Sequence, residues 1–434
     1  MSLTRLGTAH MYDRTINNIS KQQTKLADLM EHTSAGKKVI RASDDPVAAA
    51  QAERARNRMS RYETDQRALN AQVATISYAE STLGEIGNAL QNFRELTVQA
   101  GNASYDDTQR AAIAQQLVSL RDQILSYANR TDSNGLPLFR GLDTQSETPF
   151  PNATSGIHSG QPNSGEYSIT NSLNGALAFF DVTPGNGVFT LQLPPSSFAA
   201  PNETSSFPAN QNKVWADVGS ITDTNAADAA PDQWVFAFEK NADGVMEYKA
   251  YDRQLYEQYR VELAATGTAT LPTALATGPY EAGKSVVANG MTVTLKGTPE
   301  ENDVILVNRV AASDTQKLSV FQVLDQAITA ITTLTKDQPG ALEHGVAVAL
   351  AQIDTAMSRV STVRATAGDL LNQADRKSDS LEAQSDLMES QRSGAEDIDM
   401  VAALSQLNTQ QTAVSAALQS YASIQKLSLF DYIR

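Results

Sequence analysis

The chain has 434 residues with 34 Lys and Arg against 49 Asp and Glu, and a net charge of −15 argues against a general nucleic-acid binder, which needs a concentrated basic surface. It has no cysteine, which excludes disulfides, thiol nucleophiles and Cys-ligated metal sites. Aromatic residues are 6% and charged residues 19%, so the apolar content comes mostly from Ala, Leu, Val and Ile, a mixture suited to long helices around a thin core.

The charge is uneven. Residues 1–61 hold eleven Lys or Arg against six Asp or Glu, whereas residues 143–310 hold eight against nineteen. The opening "MSLTRLGTAHMYDRTINN" lacks the apolar core of about 7–15 residues that marks a cleaved signal peptide. No run approaches the ~18 apolar residues that span a bilayer, so the reading includes no membrane partner.

From Tyr12 the residues at alternating steps of four and three are Tyr12, Ile16, Ile19, Gln23, Leu26 and Met30, a heptad seam broken by one glutamine. The same rhythm near the other end gives Met400, Leu404, Leu407, Gln411, Val414, Leu418 and Tyr421, with Ile424 one turn further. Two seams of matched length, each with one mid-seam Gln, predict that the terminal helices pair with each other and with neighbouring subunits.

After the first seam comes "SAGKKVIRASDDPVAAAQAERA". A phosphate-binding loop ending in Gly36-Lys37 needs glycine at position 31 and Ser or Thr at 38, but those positions hold Glu31 and Lys38. Local grammar predicts a helix stop at Gly36, with Lys37 facing the helix dipole, then a short crossing past Asp44. A new helix follows, with Asp45 as N-cap and Pro46 at its first position. Arg54, Arg56, Arg58 and Arg61 follow; positions 54, 58 and 61 share a face that could dock an acidic partner, although such a run is more often a solvated face.

Helical text runs from Val47 to Arg130, broken at "GNASYDD", with a second helix starting near Ser104. It returns from about Ser313 to Ser428, interrupted near "DQPG" and "SGAED". The middle reads as strands: "GVFTLQLPP", "WVFAFEK" and "VMEYKAYD" joined by "NADG", "SVVA" and "MTVTL" joined by Asn289-Gly290 in a type I′ hairpin, and "VILVNRV". The predicted class is α+β, a long helical coiled-coil and bundle frame from both chain ends with an inserted β-rich domain. Its parts are an N-terminal arm (1–45), a bundle portion with a β-hairpin (46–144), a variable outer β-rich domain (145–311), the returning bundle portion (312–394) and a C-terminal arm (395–434).

Catalytic motifs are absent from the pattern. His10, His32, His158 and His344 are scattered, "GIHSG" puts His where a nucleophile elbow needs Ser, and no GxGxxG follows a strand. No catalytic, cofactor-binding or metal-binding residue is therefore assigned, and the chain is read as non-enzymatic.

The text from Ile19 to Ala55, "LGEIGNALQNFRELTVQAGN", "RTDSNGLPLFRGLD" and "LSQLNTQQTAVSAALQSYASIQKLSLFDYIR" together resemble the bacterial hook-associated protein 3 family, the hook–filament junction proteins of the flagellin-like group. The marks are Gly36-Lys37, Asp44-Asp45-Pro46-Val47 and the ending Leu427-Ser428-Leu429-Phe430-Asp431-Tyr432. Flagellins look similar but usually have Asp-Asp-Ala and a Leu-Leu-Arg-like tail. The resemblance implies two terminal arms that order on assembly, a bundle, and a variable outer domain. It further implies export through the flagellar type III apparatus without signal cleavage, and a cytoplasmic export chaperone on the C-terminal helix. Outside the cell it implies self-assembly into a ring-like helical layer between the first hook-associated junction protein and flagellin. Two alternatives stay open: a minor flagellin of the filament, or a surface enzyme or glycan-binding domain on a flagellar scaffold, with Trp215 and Trp234 stacking on sugar.

Overall fold

The computed structural model describes residues 8–102, 104–140, 173–194, 213–310, 317–334 and 339–432. In chain order these form α1 (Thr8–Ala35), α2 (Pro46–Ala100), α3 (Asp107–Ala128), α4 (Gly175–Phe179), β1 (Phe189–Gln192), β2 (Val214–Ala216), β3 (Ser220–Ile221), α5 (Thr224–Ala229), β4 (Gln233–Lys240), β5 (Met246–Asp252), α6 (Arg253–Thr266), β6 (Ala276–Pro279), β7 (Ser285–Ala288), β8 (Met291–Gly297), β9 (Val304–Arg309), α7 (Val320–Thr333), α8 (Pro339–Glu396) and α9 (Met400–Tyr432). The architecture is α+β. No helix among the described residues is long and apolar enough to cross a membrane.

The chain divides into two compact units, residues 1–70 with 375–434, and residues 71–374. In the first, α1 packs on α9, and the opening of α2 runs antiparallel to the end of α8, where Gln66 donates to Ser378 Oγ at 2.7 Å. Its core is thin: Val39, Ala48, Ala52 and Ala395 form one small buried cluster. Small side chains let helix backbones approach closely but remove little apolar surface from water.

The second unit holds a larger helical core. Ile76, Leu83, Ile86, Leu90 and Phe93 of α2 recur at helical spacing and pack with Ile113, Leu117 and Ile124 of α3, with α7 from Val320 to Ile331, and with Ile353 to Ala367 of α8. Phe179 links the helices, edge-on to Phe139 at 5.4 Å and stacked on Phe321 at 5.9 Å. α3 starts at a reciprocal capping box, where Asp106 accepts from Gln109 N and the Gln109 side chain accepts from Asp106 N. The same device, Ser319 with Gln322, starts α7 at Val320, later than the helical onset expected near Ser313; residues 311–316 lie outside the described set.

The β module of this unit has a five-stranded antiparallel sheet in the order β1-β9-β4-β5-β6, and a second sheet in the order β2-β8-β3 with β7 also paired to β8. β4 is buried on both faces, which explains its nearly continuous apolar text. Trp234, Phe236 and Phe238 face the core that includes the second sheet, whereas Val235 and Ala237 pack in a second cluster with Tyr251 of β5 and Tyr256 of α6. At the hairpin between β7 and β8, Asn289 and Gly290 have φ of 48° and 75°, the positive pair of a type I′ turn.

His344, in the first turns of α8, is buried among these strands. Its Nδ1 lies 2.8 Å from Ala216 O and its Nε2 3.1 Å from Leu191 O, so the ring sits between carbonyls of both sheets, donating to one of them when neutral and to both only when protonated. Burial holds the imidazole below its usual value, against the opposing pull of the two carbonyls and Asp217.

Candidate assembly interface

The seam residues occupy the pair α1 and α9. Ile19 and Val414 are buried with Ala403, while Leu26, Leu407, Gln411 and Tyr421 are half-buried. Ile16, Met30, Met400, Leu404 and Leu418 keep 48%, 45%, 43%, 48% and 44% of their surface exposed, so the pair hides only part of its apolar stripe. Gln23 is exposed, and the polar link between the helices is made one position away, where Gln410 donates to Gln22 O at 3.3 Å. Tyr12 and Ile424 lie on the helices, but their side chains are outside the described set.

The stretch from Gly36 to Pro46 is a joint rather than a ligand loop. Gly36 has φ +68°, and Lys37 N returns to His32 O at 3.1 Å, which ends α1 in left-handed geometry. Asp44 Oδ2 accepts from Ile40 N and Arg41 N at 3.1 and 2.8 Å. The backbone hydrogen bond from Arg41 leads in holding the Asp44 carboxyl below its usual value, against a smaller effect of burial. Asp45 Oδ1 accepts from Val47 N and Ala48 N, each at 3.0 Å, and Pro46 opens α2.

This joint is fastened to the break between α8 and α9. Lys38 N donates to Glu396 O at 2.8 Å, Ile398 N to Gly36 O at 3.1 Å, and Lys38 Nζ to Gly394 O at 2.7 Å. The Glu396 carboxylate, only 7% exposed, receives Lys37, Arg56 and Arg392. Burial pushes this carboxyl up, but the hydrogen bonds from Lys37 and Arg56 and their charges outweigh it and leave it below its usual value. Arg56 also pairs with Glu53, so it is not part of a free basic run. Asp399 then caps α9, accepting from Val401 N and Ala402 N at 3.0 and 3.1 Å.

Trp234 offers no stacking face for sugar. Trp234 has no exposed surface and sits edge-on to Phe189 and Phe236 at 6.0 and 5.0 Å. Trp215 is half-buried, and a Cβ placed on Gly297 would stand 2.6 Å from its ring.

Comparison with known proteins turns on the same two ends. Residues 7–144 match the bacterial flagellin N-terminal helical region and residues 350–433 the bacterial flagellin C-terminal helical region, together just over half of the chain. The chain belongs to the bacterial flagellin family. Within this family it is 38% identical over 162 residues to flagellar hook-associated protein 3 of Salmonella typhimurium, covering 36% of this chain and 49% of that one. Its identity to the Escherichia coli protein of the same name is 38% over 149 residues, covering 34% and 46%. Flagellin of Bacillus subtilis is 33% identical over 129 residues, covering 29% and 42%. The chain thus spans about half the length of the hook-associated proteins it matches. The fold is shared with the flagellar junction protein of Legionella pneumophila, at TM-score 0.59 and 22% identity over 75% of this chain and 99% of that one. The corresponding Xanthomonas campestris structure gives TM-score 0.60 and 20% identity over 79% and 99%.

Proposed function

We propose that this flagellin-family chain is a structural subunit of the bacterial flagellum, an adaptor in the layer that joins the hook, through its first junction protein, to the flagellin filament. The observation that carries the reading is the paired terminal helices, which match the flagellin family at both ends and leave Ile16, Met30, Met400, Leu404 and Leu418 exposed on one helix pair. An apolar stripe half hidden in one copy completes its burial against neighbours, which couples order to assembly. On this reading the partners are further copies of the chain, flagellin, the first hook-associated junction protein, the type III export apparatus and a chaperone on the C-terminal helix. The role needs no reaction, and among the described residues no group of three His, Asp or Glu could hold a metal.

The minor-flagellin reading is favoured by the 33% identity to a flagellin, but the higher identity to hook-associated protein 3 and the Asp-Asp-Pro group weigh against it. Polymerisation decides between them. The adaptor reading expects pure protein to form short oligomers or rings, and long filaments would overturn it.

A further inference from the structure

The first unit carries a groove between the start of α2 and the end of α8, about 570 Å³ in volume, lined by Tyr62, Glu63 and Arg67 on one wall and by Leu381, Glu382 and Asp386 on the other. Among the described residues, no cation pairs with Glu63, Glu382 or Asp386, and the one cation in the groove, Arg67, donates to Glu63 O and Thr64 Oγ1. The groove therefore carries three carboxylates against one arginine, a net negative charge. One helical turn earlier on α2 stands the opposite surface. Arg54, Arg58 and Arg61 are exposed on one face and, among the described residues, have no carboxylate partner; Arg54 donates only to Ala50 O within its own helix.

At 100° per residue, the arginine ridge and the α2 wall of the groove are centred roughly 140° apart around the helix axis. The two surfaces cannot meet within one copy. We propose that the ridge of one copy of this chain docks in the groove of the next. Guanidinium groups meet the three carboxylates while their aliphatic stems cover the half-buried Tyr62 ring. Ridge and groove are different surfaces, so the contact is head-to-tail and propagates into a ring or an open helix. The inference rests on the reading that copies of the chain assemble, and adds to it a charge-steered contact on α2 and α8, separate from the seams of α1 and α9.

Two full-length variants test it by sedimentation velocity at low salt, with helicity checked by circular dichroism. One carries Arg54→Glu, Arg58→Glu and Arg61→Glu; the other carries Glu63→Lys, Glu382→Lys and Asp386→Lys. Each alone matches like charge to like charge and is expected to associate at least tenfold more weakly than wild type. An equimolar mixture restores association, because the acidic ridge of the first fits the basic groove of the second and the unaltered pair also fits. If both variants associate as wild type does while Leu418→Asp does not, the docking contact is wrong and the assembly reading stands. If both associate weakly and the mixture gives no recovery, the pairing of these two surfaces is wrong. Wild-type protein that stays monomeric under all conditions overturns the assembly reading and this contact with it.

Discussion

Glu396 is the residue on which the joint of the first unit depends. Its carboxylate gathers Lys37, Arg56 and Arg392, and its carbonyl accepts from Lys38 N. Glu396→Ala is expected to cost about 1–2 kcal/mol of stability, below the range for a fully buried pair, because Lys37 and Arg56 keep 39% and 45% exposure. Chemical unfolding, with hydrogen exchange over residues 30–60, measures it. The carboxyl is held below its ordinary 4.5 in the fold, so its contribution is complete above that value and is lost as pH falls through the lower folded value. His344 behaves in the same direction in the second unit: with its pKa below 6.5 in the fold, the β module is most stable above pH 6.5 and weakens on acidification below it. His344→Phe should flatten that part of the pH–stability profile, at a cost near neutrality from the one carbonyl, Ala216 or Leu191, to which the neutral ring donates. Neither residue was legible in the sequence. Glu396 lies 340 and 359 positions from Arg56 and Lys37, and His344 lies 128 and 153 from its carbonyls, so no local pattern announces them.

Elements with local chemistry were readable. The α1 stop at Gly36, the Asp45-Pro46 start and the Asn289-Gly290 turn depend on a few adjacent residues, and the structure places helix ends and a hairpin there, whereas the helix expected from near Ser104 begins at Asp107 with Asp106 as its cap. α6 was missed although Asp252 caps it and Gly267, at φ 75°, closes it; the strand reading of "VMEYKAYD" ended at the cap and hid the helix beyond. β2 was missed because three residues give no period to read. Two glycines separate backbone conformation from packing. A Cβ at Gly36 meets nothing within 4 Å, so Gly36→Ala should cost only the left-handed strain, about 1–2 kcal/mol. At Gly290 a Cβ would stand 2.2 Å from Asp223 O and 2.5 Å from Ala227 N, so Gly290→Ala should cost more, about 2–4 kcal/mol, and lower the melting temperature of the β module. Equal losses at both positions would contradict this account of the two turns.

For the whole molecule, the sequence read correctly as a helical frame with β structure between its ends, because periodicity changes along the chain from about 3.6 to 2 and back. Which part of each seam is satisfied within one copy could not be read, since heptad spacing marks an apolar stripe without naming the helix that covers it. Ile19 and Val414 are covered in this chain, while Leu404 and Leu418 are exposed. Leu418→Asp is therefore expected to leave the monomer folded through residues 47–370 and to block assembly, as read by circular dichroism and sedimentation; a variant that fails to fold throughout contradicts the separation of roles.

The most direct test of the adaptor role is a strain lacking this gene, with hooks imaged on its cells and unpolymerised flagellin assayed in its culture medium. The account predicts bare hooks and free flagellin outside the cell, both reversed by restoring the wild-type chain but not Leu418→Asp. Normal filaments on the deletion strain would contradict it.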